Sequence, residues 1–381
     1  MASDVQRRAT LFKFQQHIAT EEETVRNVVI VNLKHHRMQL PREVIVGNGV
    51  IDRVSEITRR LGFSRSALIV AGSNTNNIAG KYVRELLEKD GMSVDTLLVE
   101  SATVKDVQCV EDKIRVSKPE IVFGVGGGTK IDVAKCSSGR SEIPFISVPT
   151  TASHDGIASP VSSVRGFEKP YSIMAQAPLA IIADTNIILR APWRFAVSGY
   201  EDVIAKFTAV KDWKLAYEEK KEYYGGYAAS LALMSAKYAM QNVQLMNEGN
   251  EDGLRILIEA LISCGVSMSI AGSSRPCSGS EHLFGHALEM VKPNHAMHGE
   301  RCGVGTIMMA YLHGSNWKRI KEAIQKLGAP TNAHELGVER EDIITALELA
   351  AKMRPERFTI LNKLSLDRKA YEHLAEVTEV V

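Results

Sequence analysis

Two histidines four residues apart, His282 and His286, stand in the segment Ser280-Glu281-His282-Leu283-Phe284-Gly285-His286-Ala287-Leu288-Glu289. On a helix that spacing puts both imidazoles on one face. A third, His298, follows in His298-Gly299-Glu300. Imidazole nitrogens bind Zn2+ and similar divalent ions, and a catalytic site needs three protein ligands and an open position. A carboxylate can complete such a set. The segment Gly199-Tyr200-Glu201-Asp202-Val203-Ile204-Ala205-Lys206 offers two, Glu201 and Asp202. His295 competes with His298, because spacing alone does not separate them. One histidine on a half-apolar helix is more often structural than ligating; the pair is what points to a metal.

A second chemistry is written in Gly124-Val125-Gly126-Gly127-Gly128-Thr129-Lys130-Ile131-Asp132-Val133-Ala134-Lys135, which follows a strand pattern and opens into a helix pattern. Glycines let backbone N–H groups approach a pyrophosphate with no Cβ in the way, and the helix N-terminus adds partial positive charge. A tight strand-to-helix turn can also use glycine for steric reasons alone; the strand–turn–helix context favours phosphate binding. The first strand-to-helix turn, Ala71-Gly72-Ser73-Asn74, is where a carboxylate would normally meet the adenosine ribose. No Asp or Glu lies in it, so NADP is expected to be tolerated as well as NAD.

A third segment, Pro149-Thr150-Thr151-Ala152-Ser153-His154-Asp155-Gly156-Ile157-Ala158-Ser159, sets hydroxyls, an imidazole and a carboxylate just after a strand end. Ligands of α/β folds bind outside the carboxyl ends of parallel strands. The hydroxyls can bond phosphate oxygens or the nicotinamide amide, and Asp155 can hold a substrate hydroxyl. A helix N-cap and turn would explain the same residue types, and for His154 that is the preferred reading.

The elements that must hold these residues alternate in the first half of the chain. Strand patterns fall at Val25–Leu33, Glu43–Val46, Ala67–Ala71, Thr96–Val99, Ile121–Val125, Pro144–Val148 and Ala180–Asp184, with helix patterns between the later ones. Continuous apolar runs suit strands buried on both faces, and this alternation implies a parallel, doubly wound sheet. Beyond about residue 190 helix patterns take over, at Ser198–Glu219, Ala228–Asn247, Glu251–Ala271, Ser280–Val291, Gly303–Leu312 and Trp317–Leu327, with two more after them. The expected class is α/β: an N-terminal doubly wound parallel-sheet nucleotide-binding domain, residues 26–185, and a C-terminal all-helical metal-binding domain, residues 186–381. Residues 1–25 form an extension with no chemistry of its own.

The balance of 46 basic and 45 acidic side chains gives no reason to expect nucleic acid or an anionic membrane as partner, since either wants a cationic excess. Five widely spaced cysteines with no Cys-x-x-Cys pair argue against a disulfide framework or a thiolate zinc site, and for a reducing compartment. Met1–Glu23 has no apolar core of a secretory signal, and no apolar run is expected to span a bilayer. A cytoplasmic protein with no membrane insertion is the expectation.

Taken together, the three segments resemble the iron-containing alcohol dehydrogenase and dehydroquinate synthase-like superfamily. Within it, Thr150-Thr151-Ala152-Ser153-His154-Asp155-Gly156 followed by Ala158-Ser159-Pro160 looks most like the sn-glycerol-1-phosphate dehydrogenases. The resemblance covers roughly residues 40 to 330. It implies Zn2+ held by Asp202, His282 and His298, the last chosen over His295 by the tripeptide His298-Gly299-Glu300. It implies that Asp155 and His286 line the substrate position. Contacts to NAD or NADP are implied for Gly126, Gly127, Gly128, Thr129, Lys130, Asp132, Thr150, Thr151, Ser153 and Ser159. The superfamily pattern carries Gly before the metal Asp, where this chain has Glu201. The implied reaction interconverts dihydroxyacetone phosphate and sn-glycerol 1-phosphate, a small phosphorylated ketone and polyol, for ether-linked lipid backbones of archaeal type. A homo-oligomer is expected. Lys206, Lys292 and Arg301 are candidates for the substrate phosphate. Glycerol dehydrogenase and a dehydroquinate synthase-like carbon–oxygen lyase are the alternatives within the same superfamily.

Overall fold

The computed structural model describes residues 36–166, 173–247 and 249–381. The strand expected at Val25–Leu33 and the extension at 1–25 lie outside them. Six strands, β1 (Glu43–Gly47), β2 (Ser66–Ala71), β3 (Ser93–Leu98), β4 (Ile121–Gly126), β5 (Phe145–Pro149) and β6 (Ala180–Asp184), form one parallel sheet in the order β1-β6-β5-β4-β2-β3. The connections carry α1 (Val54–Arg60), α2 (Lys81–Lys89), α3 (Val104–Ser117) and α4 (Gly128–Arg140).

Side chains alternate across this sheet as a period of two demands. Leu68 and Val70 enter one core, while Ala67, Ile69 and Ala71 enter the other with Val54, Ile57, Val83 and Leu87. Burial on both faces removes any need for polar alternation, which is why these strands read as unbroken apolar runs. The chain leaves β2 toward β3 on one side and returns to β4 on the other. A crevice therefore opens between the carboxyl ends of β2 and β4, the switch point where such sheets bind ligands.

The second half is helical: α5 (Trp193–Ile204), α6 (Lys206–Lys220), α7 (Gly226–Gln241), α8 (Glu251–Ala271), α9 (Ser280–Val291), α10 (His298–Leu312), α11 (Trp317–Lys326), α12 (Arg340–Met353) and α13 (Arg368–Val377). The core on the Leu68 face of the sheet runs without a break into these helices through Tyr200, Trp213, Leu261, Phe284 and Ile307. One expectation is corrected here. By length and composition α8 is long and apolar enough to cross a membrane, but most of it is buried inside the protein. A helix packed on nearly all sides is apolar all round.

Close approach of α5 to its neighbours sets the site geometry. A Cβ on Gly299 would lie 1.8 Å from the Ser198 carbonyl oxygen, and one on Gly199 would lie 1.9 Å from that of Ala152. Backbone therefore touches backbone on both sides of α5, and Asp202 is carried between the β5 loop and α10. Gly299→Ala is expected to cost about 3 kcal/mol through overpacking and to lower Tm by roughly 5 °C or more. A thermal scan showing no shift would mean that the helices separate freely.

Candidate active site and metal centre

The first turn of α9 is pinned before it can present its histidines. Asp212 of α6 accepts from the Ser280 backbone N–H at 2.6 Å and from its hydroxyl at 2.5 Å. The Ile360 N–H, at 2.7 Å, and His313 Nε2, at 3.0 Å, meet its other oxygen. Burial opposes ionisation of Asp212, but His313 and the Ser280 donors outweigh it and hold the carboxyl below its ordinary range. Glu281 is fixed likewise, accepting from the Gly279 N–H at 2.6 Å and the Thr208 hydroxyl at 2.8 Å. At the far side, Glu300 ties α10 down, taking the Met297 N–H at 2.7 Å and Arg194 Nη2 at 2.7 Å.

His282, His286 and His298 converge from α9 and α10. Their ring centroids lie 5.1 Å apart for His282 and His298, 5.8 Å for His286 and His298, and 6.5 Å for His282 and His286. Asp202 of α5 faces them, its Oδ1 3.4 Å from His282 Nε2. The other imidazole nitrogen, His282 Nδ1, sits 2.8 Å from Glu281 Oε1. A carboxylate on one nitrogen fixes the ring and leaves the other as the basic lone pair, which is the arrangement that supports metal ligation.

Charge favours a cation as well. Lys206 Nζ lies 2.6 Å from Asp202 Oδ1 and 2.8 Å from Asp155 Oδ2, and the Asp155 N–H donates to Asp202 Oδ2 at 2.8 Å. Two carboxylates thus share one ammonium, and Asp202 and Lys206 are both at most 1 % exposed. Burial works against the Asp202 charge, but Lys206 and His282 hold its carboxyl well below the usual range. Asp155 goes the other way, raised by burial and by the Asp202 carboxylate beside it. Burial, then His282 and the guanidinium groups of Arg301, Arg354 and Arg357, push the His286 imidazole down to about 3. Removing the orienting carboxylate with Glu281→Gln is expected to weaken metal affinity about 10–100-fold, as read by competition with a chelator. Unchanged affinity would mean that His282 does not ligate through Nε2.

The two segments at strand ends meet at the sheet crevice. Thr151 Oγ1 would lie 3.1 Å from a Cβ on Gly127, and His154 Nε2 only 1.5 Å from one on Gly128. The imidazole of His154 caps the following turn, its Nδ1 accepting from the Gly156 N–H at 2.8 Å. Gly126, Gly127, Gly128, Thr150, Thr151 and Ser153 therefore share one region, and Thr129 is exposed beside them. An apolar cavity of about 180 Å³ opens next to Ala152, between Leu189, Pro192, Trp193 and Leu254.

Other expected cofactor contacts are engaged by the protein. Asp132 Oδ1 lies 3.1 Å from Lys135 Nζ, and its Oδ2 accepts from the Ser163 N–H at 2.9 Å. Ser159 donates to the Val161 carbonyl at 3.2 Å, and Lys130 Nζ to the Glu100 carbonyl at 2.7 Å. The first turn holds no Asp or Glu of its own, but a carboxylate reaches it from elsewhere in the fold. Glu100, just beyond β3, accepts from the Ser73 N–H at 3.0 Å and from its hydroxyl. The parallel register of β2 and β3 brings it there, which no local pattern shows. Cys302 was also missed. Its thiol lies 3.7 Å from His298 Nε2, and it forms with His282 and His298 a group of potential ligand atoms within 4.8 Å of one another. Its position four residues after His298 on one helix was the available signal.

Residues 45–192 match the family model described as iron-containing alcohol dehydrogenase. The glycerol-1-phosphate dehydrogenase (NAD(P)+) of Pyrococcus furiosus is 51% identical over 346 residues, covering 91% of this chain and 100% of that protein. The chain belongs to the glycerol-1-phosphate dehydrogenase family. That membership makes it an oxidoreductase. Another member, from Methanosarcina mazei, is 52% identical over 90% of this chain and 96% of its own. A glycerol dehydrogenase structure from Schizosaccharomyces pombe, at 20% identity, superposes with a TM-score of 0.74 over 91% of this chain and 92% of its own, which speaks for the fold alone.

Glu201, the departure from the superfamily pattern, packs against α10. A Cβ on Gly303 would lie 2.4 Å from its Oε1, and both its carboxyl oxygens are buried with no hydrogen-bond partner among the described residues. Burial, then Glu300 and Cys302, raise this carboxyl well above the usual range. In this family member Glu201 is a buried group packed on α10, and Asp202 is the carboxylate that faces His282.

Proposed function

We propose that the chain is an NAD(P)-dependent, zinc-dependent enzyme interconverting dihydroxyacetone phosphate and sn-glycerol 1-phosphate. It would act in the cytoplasm and supply the backbone of archaeal-type ether lipids. The observation that carries this reading is the convergence of Asp202, His282 and His298. Names of relatives about half identical over nearly the whole chain support the substrate.

Asp202, His282 and His298 would hold the metal, with Glu281 orienting His282 from behind. When bound, the cation serves as a Lewis acid for the oxygen on carbon 2 and the nicotinamide carries the hydride. The glycine turn at Gly126–Gly128 would offer its N–H groups to the cofactor pyrophosphate, with Thr150, Thr151 and Ser153 alongside. Asp155 and His286 would bind the hydroxyls of the substrate. A neutral His286 can donate from one ring nitrogen and accept at the other. A raised Asp155 can hold the proton that the carbon-2 oxygen gains on reduction, at a carboxyl oxygen within reach of Lys206. The carboxylate of Glu100 at the first turn suits a ribose hydroxyl better than a 2′-phosphate, while Lys130 beside it offsets that preference.

The test follows NADH and NADPH absorbance with zinc-loaded protein and either dihydroxyacetone phosphate or dihydroxyacetone. Oxidation of cofactor with the phosphorylated ketone, lost on chelation and restored by Zn2+, is the expected result. Turnover of dihydroxyacetone alone would move the chain to glycerol dehydrogenase chemistry.

A further inference from the structure

The three candidates for gripping a substrate phosphate are each already neutralised. Lys206 is locked between Asp155 and Asp202, Lys292 pairs with Asp342 at 3.5 Å, and Arg301 pairs with Glu289 at 2.6 Å. Among the buried guanidinium groups Arg275 also has a carboxylate, that of Glu222. Arg357 is different. It is 7 % exposed, and among the described residues its bonds run only to neutral acceptors: Nη1 to the Ser278 carbonyl at 2.5 Å and Nη2 to the Ser274 hydroxyl at 2.7 Å. Glu222 and Glu281 act on it only from beyond ion-pair range, and burial pushes its guanidinium down to about 9. A buried charge with no counter-ion is costly enough that proteins rarely keep one without a ligand or partner to meet it.

Its bonds tie it to the turn that leads into the histidine helix. Ser274 and Ser278 lie in the turn that leads into α9. Three residues after Arg357, the Ile360 N–H donates to Asp212, the same carboxylate that fixes the first turn of α9. Besides His282, the cations that bear on His286 are Arg301, Arg354 and Arg357. Arg354, whose Nε pairs with Glu356 at 3.0 Å, is part-exposed just before it. Five N–H donors in a planar fork match the oxygens of a phosphate, and two of the five suffice for the Ser274 and Ser278 bonds.

We infer that Arg357, assisted by Arg354, is the cationic grip for the phosphate of the substrate, on the His286 side of the metal centre. This rests on the phosphorylated substrate proposed above. The geometry makes phosphate recognition a property of the segment after α12 rather than of α9 or α10. The metal then holds the oxygen on carbon 2, and Arg357 holds the phosphate on the neighbouring terminal carbon.

The experiment uses Arg357→Gln, Arg357→Lys and Arg354→Gln in the zinc-loaded full chain. Two readouts are taken: steady-state kinetics with dihydroxyacetone phosphate, and the thermal shift produced by inorganic phosphate. Arg357→Gln is expected to lower kcat/KM about 100-fold, mainly through KM, and to remove the phosphate-induced shift, as loss of charge-assisted bonds predicts. Arg357→Lys should recover part of both, because a point charge replaces a fork, and Arg354→Gln should raise KM about 10-fold. Should Arg357→Gln not fold, the other two decide. Wild-type KM and a wild-type phosphate shift in both would overturn the inference, and the structure would then use Arg357 only to staple the Ser274–Ser278 turn. A wild-type chain that ignores dihydroxyacetone phosphate yet shows the phosphate shift, lost in Arg357→Gln, would sink the proposed substrate and leave the anion site standing.

Discussion

Asp202→Asn is expected to reduce activity at least about 1000-fold while leaving the protein folded. The substitution keeps the shape, and the amide oxygen can still accept from the Asp155 N–H, while the NH2 takes the place of the oxygen that accepts from Lys206. It removes the anionic donor facing His282 Nε2, and with it the stronger part of the attraction for a divalent ion. Lewis-acid stabilisation is worth several kcal/mol of barrier, and about 4 kcal/mol corresponds to a factor of about 1000. The cluster also loses its excess negative charge, since Lys206 would then be matched by Asp155 alone. Bound zinc per chain, measured by atomic absorption after dialysis, should fall together with kcat. Full zinc occupancy with normal kcat would move the ligand role elsewhere, and Glu201 or the Cys302 thiol would then have to be reconsidered.

The second large effect is expected at the glycine turn. In Gly128→Ala the new methyl would lie 1.5 Å from His154 Nε2, so the imidazole must leave. It can do so only by giving up its bond to the Gly156 N–H. A Cβ also appears where the first N–H groups of α4 face outward. Loss of backbone donors to a pyrophosphate, each worth about 1.5–3 kcal/mol as a charge-assisted bond, predicts a rise of about 100-fold in the NADH dissociation constant. Fluorescence titration of NADH measures it directly. His154→Ala in the same background separates the two causes: recovery of affinity would blame the displaced ring, and no recovery the Cβ itself. A dissociation constant within twofold of wild type in Gly128→Ala would mean that the cofactor phosphate lies away from this turn.

Much of this was readable from the chain alone, and the reasons are local. The strands of the parallel sheet show because both their faces are buried, which removes polar alternation over five or six residues. The pair His282 and His286 shows because helical periodicity is local. The residues that could not be read are those joined across the fold. Glu100 meets Ser73 only because β2 and β3 run in parallel register. Lys206 belongs with Asp155 only once α5 is pressed onto the β5 loop at Gly199. Arg357 lies beyond the stretch that the resemblance covers, and its want of a counter-ion among the described residues is a property of packing that no spacing reveals. The resemblance implies a cofactor contact for Asp132, while in the fold its carboxylate is engaged by Lys135 and the Ser163 N–H. The i, i+3 spacing of Asp132 and Lys135 on one helix face is the local sign of that pair. Between Glu201 and Asp202 the choice needed the rotation of α5 about its axis, and neighbouring residues on a helix point about 100° apart.

The measurement that tests the central claim most directly is the stoichiometry of NADH against dihydroxyacetone phosphate with zinc-loaded protein, together with the configuration of the product. One NADH oxidised for each ketone consumed, with sn-glycerol 1-phosphate as the product, is the predicted result. Consumption of the phosphorylated substrate with no net change in NADH would contradict it, because the same metal and dinucleotide would then be serving a lyase; an sn-glycerol 3-phosphate product would contradict the proposed configuration.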